Sequence, residues 1–183
     1  VKKSGGDSQI RVLLHSLAFG TLRRFTPDDP SEAITKAQMD MTLEVMANSL
    51  VYWVQELVFK KLMRAGGRVY AMTSSGGHRV WPTYGPVSAA KAALESHCRQ
   101  LALELAPKKI TVNAIQAGVT DTPALRKIPG SEKMVEYARS VNPMGRLTTP
   151  EDVAKAIALL SHEDNYWMTG NVIRVDGGED VVG

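Results

Sequence analysis

RVYAMTSSGG at 68–77, VSAAKAALESHCRQLALEL at 87–105 and ITVNAI at 110–115 together decide the fold of this chain. RVYAMT is a short apolar run of strand-forming residues, and Ser74-Ser75-Gly76-Gly77 closes it with turn chemistry. The alanine-rich segment has strong helix propensity from Tyr84 or Ser88 to Leu105 and is stopped by Pro107. ITVNAI is a further strand that runs into Gly118. Apolar strands with a helix between them imply a parallel sheet covered on both faces.

The flanks repeat the alternation. Residues 10–16 read as a buried strand, bounded by Gly5-Gly6 before and Ala18-Phe19-Gly20 after. Residues 26–31, with Pro27 and Pro30, form a loop. Helical spacing from Ser31 through Met41, Val45, Leu50, Val54, Leu57 and Leu62 predicts one long helix or two in succession, stopped by Gly66-Gly67. The stretch 121–146, rich in proline and charge, predicts short helices and, over 121–142, a mobile substrate lid. Thr149-Pro150-Glu151-Asp152 starts a helix that runs to about Leu160, with threonine as cap and proline in the first turn. Residues 170–176 are the last strand, followed by Gly177-Gly178. The expectation is one α/β domain over 1–183.

Composition narrows the function classes. A chain of 183 residues, 44% hydrophobic and 22% charged, can bury a core without disulfides. Twenty-two basic and 19 acidic residues leave a net charge of +3, and the basic residues are scattered in pairs such as Lys2-Lys3 and Lys108-Lys109, which argues against nucleic acid as a partner. The single cysteine, Cys98, suits a reducing compartment, so the cytoplasm is the expected location. The most apolar stretch, 43–59, is interrupted by Glu44, Asn48, Gln55 and Glu56 and does not read as a membrane span. Cys98 and His97 have no partners at metal-ligand spacing, so no metal site is expected.

Ligands of open parallel sheets bind beyond the carboxyl ends of the strands. Three such ends are small or polar here: 15–18, 73–75 and 116–120. Tyr84 and Lys91 lie two helical turns apart, on nearly one face, above those ends. An ammonium near the phenol would lower its pKa and make it a better acid, although on spacing alone a surface tyrosine and a solvated lysine are the simpler reading.

The order and spacing of TSSGG, TYGPVSAAKAALE, ITVNAIQAGVTDT, NPMGRLTTPEDVAKAIALL and MTGNVIRVDGG resemble the carboxyl-terminal two-thirds of the short-chain dehydrogenase/reductase superfamily, over nearly the whole chain from about Ile10. The usual Tyr-x3-Lys pair would place its tyrosine where Val87 stands; Tyr84 precedes Lys91 by seven instead, as in the enoyl-acyl-carrier-protein reductase branch. HSLAF at 15–19 is similar to that branch as well. The resemblance implies a Rossmann-type doubly wound parallel sheet from which the first three strands, with their glycine-rich cofactor turn, are missing on the amino-terminal side, so that the natural protein is longer. It implies a catalytic set of Tyr84, Lys91, Ser74 and Asn48. Contacts to NADH or NADPH fall to Ser16, Leu17, Ala18, Thr73, Lys91, Gly118, Val119, Thr120 and Thr122. Substrate contacts fall to Ala18, Phe19, Tyr84 and Leu125. Ser74 departs from the best-known enoyl reductases, which carry a second tyrosine there, and is more like a ketoreductase-like minority.

The implied reaction is reduction of the 2,3 double bond of an enoyl thioester carried by acyl carrier protein or coenzyme A, in fatty acid synthesis. A carbonyl reductase or alcohol dehydrogenase of the same superfamily is the alternative, and a cofactor-free scaffolding subunit the reading from another class. The resemblance also implies a homodimer or homotetramer built on the two long helices, through Val51, Val54, Val58, Leu94, Leu101 and Leu105. Without preceding strands, residues 10–16 should form an exposed apolar edge.

Overall fold

The computed structural model describes residues 9–182; Gly5-Gly6 and the Lys2-Lys3 pair lie outside the described residues. Four strands, β1 (Val12–His15), β2 (Arg68–Thr73), β3 (Thr111–Ala117) and β4 (Val172–Val175), form one sheet in the order β1-β2-β3-β4. Every pairing is parallel. The α/β expectation is met, with β2 matching RVYAMT residue for residue. β1 is shorter than the run 10–16, because the Ile10 N–H donates to the Leu62 carbonyl rather than to a strand.

Helices α1 (Lys36–Leu43) and α2 (Ser49–Phe59) are joined by one π-helical stretch, Glu44–Asn48. Thr35 starts α1 with a reciprocal capping box, its hydroxyl accepting from the Gln38 N–H while the Gln38 side chain accepts from the Thr35 N–H. The end of α2 corrects the expected glycine stop at Gly66-Gly67. The helix ends at Phe59, Lys61 takes a left-handed conformation (φ 56°), and the Leu62 N–H reaches back to the Leu57 carbonyl at 2.8 Å while the Lys61 N–H reaches Val58. That is a Schellman closure with lysine where glycine is usual.

Helix α3 (Gly85–Leu105) lies on the same sheet face as α1 and α2. Leu50, Val54, Leu57, Leu94, Cys98, Leu101 and Leu105 close over Val69, Ala71, Val112 and Ala114 in the main core. Four of the residues expected between subunits, Val54, Leu94, Leu101 and Leu105, therefore belong to the chain's own core, where the sheet they cover keeps them from solvent; Val51 and Val58 are half-buried. The exposed apolar side chains of these helices are Tyr52, Trp53, Phe59 and Leu103.

The opposite face carries α5 (Pro150–Leu160), whose Val153 and Ile157 pack on Tyr70 and Ile115. Thr149 and Asp152 cap it as their spacing foretells, and Arg146 pairs with Asp152 at 2.6 Å. Between β3 and α5, the stretch 121–142 contains α4 (Ser131–Val141). A four-residue helix, α6 (Glu179–Val182), follows β4. β1 is the edge strand, and Leu14 on it is 45% exposed, as expected for an apolar edge. Among the described residues no helix is long and apolar enough to cross a membrane, and no group of three or more potential ligands could hold a metal.

Candidate active site

The register aligns the strand ends that carry the candidate residues. His15 pairs with Ala71, and Thr73 pairs with Gln116 two residues further along, so 15–18, 73–75 and 116–120 share one edge of the sheet. Helix α3 starts above this edge. Tyr84 is its N-cap residue, and the Ser88 N–H donates to the Tyr84 carbonyl. Thr83, just before it, is β-branched yet left-handed (φ 66°), and its hydroxyl is buried without a partner among the described residues. Strain of that kind, where the neighbouring turn fixes the chain, marks a position held for its geometry.

The Tyr84 ring lies against the turn after β2, where a Cβ added to Gly76 would stand 2.6 Å from Tyr84 Cε1 and 3.2 Å from Ser74 Oγ. Ser74 Oγ itself is buried, with the Tyr84 phenol beside it and no further hydrogen-bond partner among the described residues. The turn thus brings the Tyr84 phenol and the Ser74 hydroxyl beside each other. The expectation that Lys91 lowers the Tyr84 pKa is overturned: burial pushes the phenol up, and the Ser74 hydroxyl opposes the rise. A phenol held above its ordinary value stays protonated at neutral pH, which is the state that donates a hydrogen bond.

Lys91 is buried, and its Nζ donates to the Met72 carbonyl at 2.7 Å. Burial pushes its pKa down to about 8, with Glu95 pulling it back up. An ammonium has three donors, so this arrangement leaves hydrogen-bonding capacity for ligand hydroxyls. His15, at the end of β1, hydrogen-bonds Ser49 Oγ at 2.8 Å on α2. Burial, then the positive charge of Lys91, holds the imidazole below its ordinary pKa.

Asn48 does not join this group through its side chain. Its Oδ1 lies 3.1 Å from His97 Nε2 on α3, and its Nδ2 donates to Glu44. It does close the π-helical stretch, a departure frequent at functional sites. Ser16, Leu17, Ala18 and Phe19 are exposed beyond β1. Gly20 brings that segment onto the helices, since a Cβ there would meet Thr42, Met46 and Val87 within 3.3 Å.

The segment after β3 has its contacts met internally. Val119 N–H donates to both carboxylate oxygens of Glu179, at 3.2 and 3.1 Å, Thr120 Oγ1 donates to the Gly118 carbonyl, and Thr122 Oγ1 accepts from the Leu125 N–H. Thr73 Oγ1 donates to Glu95 at 2.6 Å. Sequence reasoning missed Glu95, which looks like any exposed helix carboxylate, and Phe25, whose ring covers the backbone of Gly85 beside Tyr84. The buried Ser74 hydroxyl, with no partner among the described residues beyond the Tyr84 phenol, and the spare donors of Lys91 fit an oxygen-bearing ligand at the end of β2, such as a carbonyl and a ribose.

The family model described as enoyl-(acyl carrier protein) reductase matches residues 4–179. An NADH-dependent enoyl-acyl-carrier-protein reductase FabI from Synechocystis is 34% identical over 100% of this chain and 69% of its own length. The crystal structure of the enoyl-acyl-carrier-protein reductase (NADH) of Aquifex aeolicus superposes with a TM-score of 0.86 at 29% identity, over 96% of this chain and 67% of that one. The enzyme of Anaplasma phagocytophilum, in complex with NAD, superposes at 0.80 and 25% identity, over 96% of this chain and 63% of that one. The chain spans about two thirds of the length of these relatives. With the Tyr84 and Lys91 spacing in place at the strand ends, it belongs to the enoyl-acyl-carrier-protein reductase family, within the short-chain dehydrogenase/reductase superfamily.

Proposed function

We propose that the protein reduces the 2,3 double bond of an enoyl thioester, with Tyr84 as the hydrogen-bond donor to the thioester carbonyl. The observation that carries this reading is the buried Tyr84 phenol, a protonated donor at neutral pH, set beside the buried Ser74 hydroxyl at the end of β2. A reduced nicotinamide, NADH or NADPH, supplies the hydride to the β-carbon when bound. Lys91, Thr73 and the segments 16–18 and 118–122 are the residues that would hold it. Charge would then develop on the carbonyl oxygen as the enolate forms, Tyr84 would stabilise it by a hydrogen bond that strengthens as the charge grows, and a proton from water taken up at the α-carbon would complete the reduction. Ser74 places a second hydroxyl at the same oxygen. Lys91 supplies positive field from its place behind the strand end, and Ala18, Phe19 and Leu125 border the acyl chain.

Segment 121–142 acts in this reading as the lid over the substrate. The carrier is acyl carrier protein or coenzyme A, and the reaction belongs to fatty acid synthesis in the cytoplasm. The exposed Tyr52, Trp53, Phe59 and Leu103 support assembly into a homodimer or homotetramer through α2 and α3.

The test is NADH and NADPH oxidation by the whole protein with crotonyl and acetoacetyl thioesters. Crotonyl turnover, reduced about a hundredfold in Tyr84→Phe, is the expected result. Ser74 at a position where other enoyl reductases have tyrosine favours one second reading, a carbonyl reductase; acetoacetyl turnover without crotonyl turnover would establish it. Stable folding with no nucleotide binding would move the scaffolding reading ahead.

A further inference from the structure

Lys91 sits in an environment hostile to charge. It is faced by His15 from β1, by the Met72 carbonyl from β2, and by Glu95 from its own helix. Beyond His15 lies Ser49 of α2, and farther along the same helix pair lie Asn48, Glu44 and His97. Glu95 is the carboxylate that acts on Lys91 among the described residues, one helical turn on and therefore on the same face.

Glu95 is not left to find its own position. Its Oε1 accepts a 2.6 Å hydrogen bond from the Thr73 hydroxyl at the end of β2. On the other side is the turn after β2, where a Cβ on Gly77 would stand 2.8 Å from the same oxygen. A strand-end hydroxyl and a residue without a side chain thus shape a seat for this carboxylate. Around it lie Cys98 on α3 and a cavity of about 490 Å3 lined with His78, Gln116, Val172 and Arg174.

We propose that Glu95 is a positioning residue for Lys91: seated between the Thr73 hydroxyl and the backbone of Gly77, one helical turn from Lys91, its carboxylate keeps the buried ammonium charged where the Met72 carbonyl holds it. This rests on the reading of Lys91 as the residue that meets the cofactor. Burial alone drives a lysine toward its neutral form, which loses both the field and one donor. The seat ties that protection to the turn that also carries Ser74 and touches Tyr84, so one short segment sets the geometry of three site residues.

The test follows Lys91 directly, by NMR of the whole protein carrying isotope-labelled lysine, with the signal assigned by its loss in Lys91→Arg. In the unliganded wild type the midpoint should fall near 8. In Glu95→Gln, which keeps shape and removes charge, the midpoint should move to lower pH, raising the neutral fraction at pH 7 about fivefold. Glu95→Asp should keep most of the wild-type behaviour. The basic limb of kcat with an enoyl thioester should move to lower pH in step with the NMR midpoint in Glu95→Gln. An unchanged Lys91 titration in folded Glu95→Gln overturns the proposal, even if thermal stability falls, because that is what a merely structural carboxylate would do. A shifted titration in a protein whose wild type turns over no enoyl thioester leaves the coupling standing and removes the enoyl reductase reading instead.

Discussion

Tyr84 and Gly76 are in contact across the turn after β2, so closely that a methyl group on Gly76 would stand 2.6 Å from the edge of the tyrosine ring. Real side chains do not approach that near, so Gly76→Ala must displace the ring. The neighbouring Ser74 oxygen, 3.2 Å from the same point, leaves little room on that side. Misplacing a reacting group by about 1 Å can cost on the order of a hundredfold in rate. Gly76→Ala should lower kcat for the enoyl thioester by tenfold or more, on the order of that limit, while thermal unfolding changes little; steady-state kinetics with circular dichroism on the same sample check this.

Lys61 holds the left-handed position that ends α2 and is exposed. An L-residue with a Cβ adopts that conformation at a cost that glycine avoids, offset in part by the greater freedom of glycine in the unfolded chain. Lys61→Gly should therefore stabilise the protein by about 0.5–1 kcal/mol, read as a shift of the urea midpoint at unchanged slope.

His15 gives stability a pH dependence with a definite sign. Its folded-state pKa lies below the ordinary 6.5, so between the two values the unfolded chain binds the proton and the folded chain does not. The imidazole contribution is fully present above pH 6.5 and is lost as pH falls from there through the lowered folded value. Unfolding free energies of the wild type should decline over that window, and His15→Gln should flatten the decline.

Asp180 joins the end of the chain to the sheet. Its side chain is 2% exposed and takes hydrogen bonds or ion pairs from His78, Arg79, Arg174 and Gln116. Burial pushes the carboxyl up, but Gln116, His78 and the cationic charges outweigh it and hold the pKa below its ordinary 3.8. Its contribution is present above that value and is lost as pH falls through the lower folded one. Asp180→Asn should cost about 2 kcal/mol at neutral pH and weaken the acid limb of the stability curve, measured by denaturant unfolding at a series of pH values.

Local chemistry made much of this fold legible. RVYAMT is bounded by Gly66-Gly67 and by Ser74 to Gly77, so its limits as β2 coincide with the apolar run. The Thr149 capping box fixes α5 in the same way. Where tertiary structure intervened, the reading failed. Gly66-Gly67 looks like a helix stop, yet Lys61 ends α2 because Leu62 can close onto Leu57 there. An apolar stripe does not say what it faces, and Val54, Leu94, Leu101 and Leu105 turned toward the sheet.

The site divides along the same line. The Tyr84 and Lys91 spacing is visible in a linear sequence because both ride on one helix. Burial of the phenol is not, and it reverses the expected direction of its pKa. Glu95 was hidden because its importance depends on Thr73, which is 22 residues away in sequence and arrives only when β2 packs on α3.

The helix that presents Tyr84 and Lys91 also buries Leu94, Cys98, Leu101 and Leu105 on its far turns. The Tyr84 and Lys91 pair is thereby anchored in the chain's main hydrophobic core. Heat should extinguish activity and fold at one temperature, and substitution should respect the same boundary: the exposed segment 16–19 can vary with little cost to the core, while Tyr84 and Lys91 can change only with the packing beneath them.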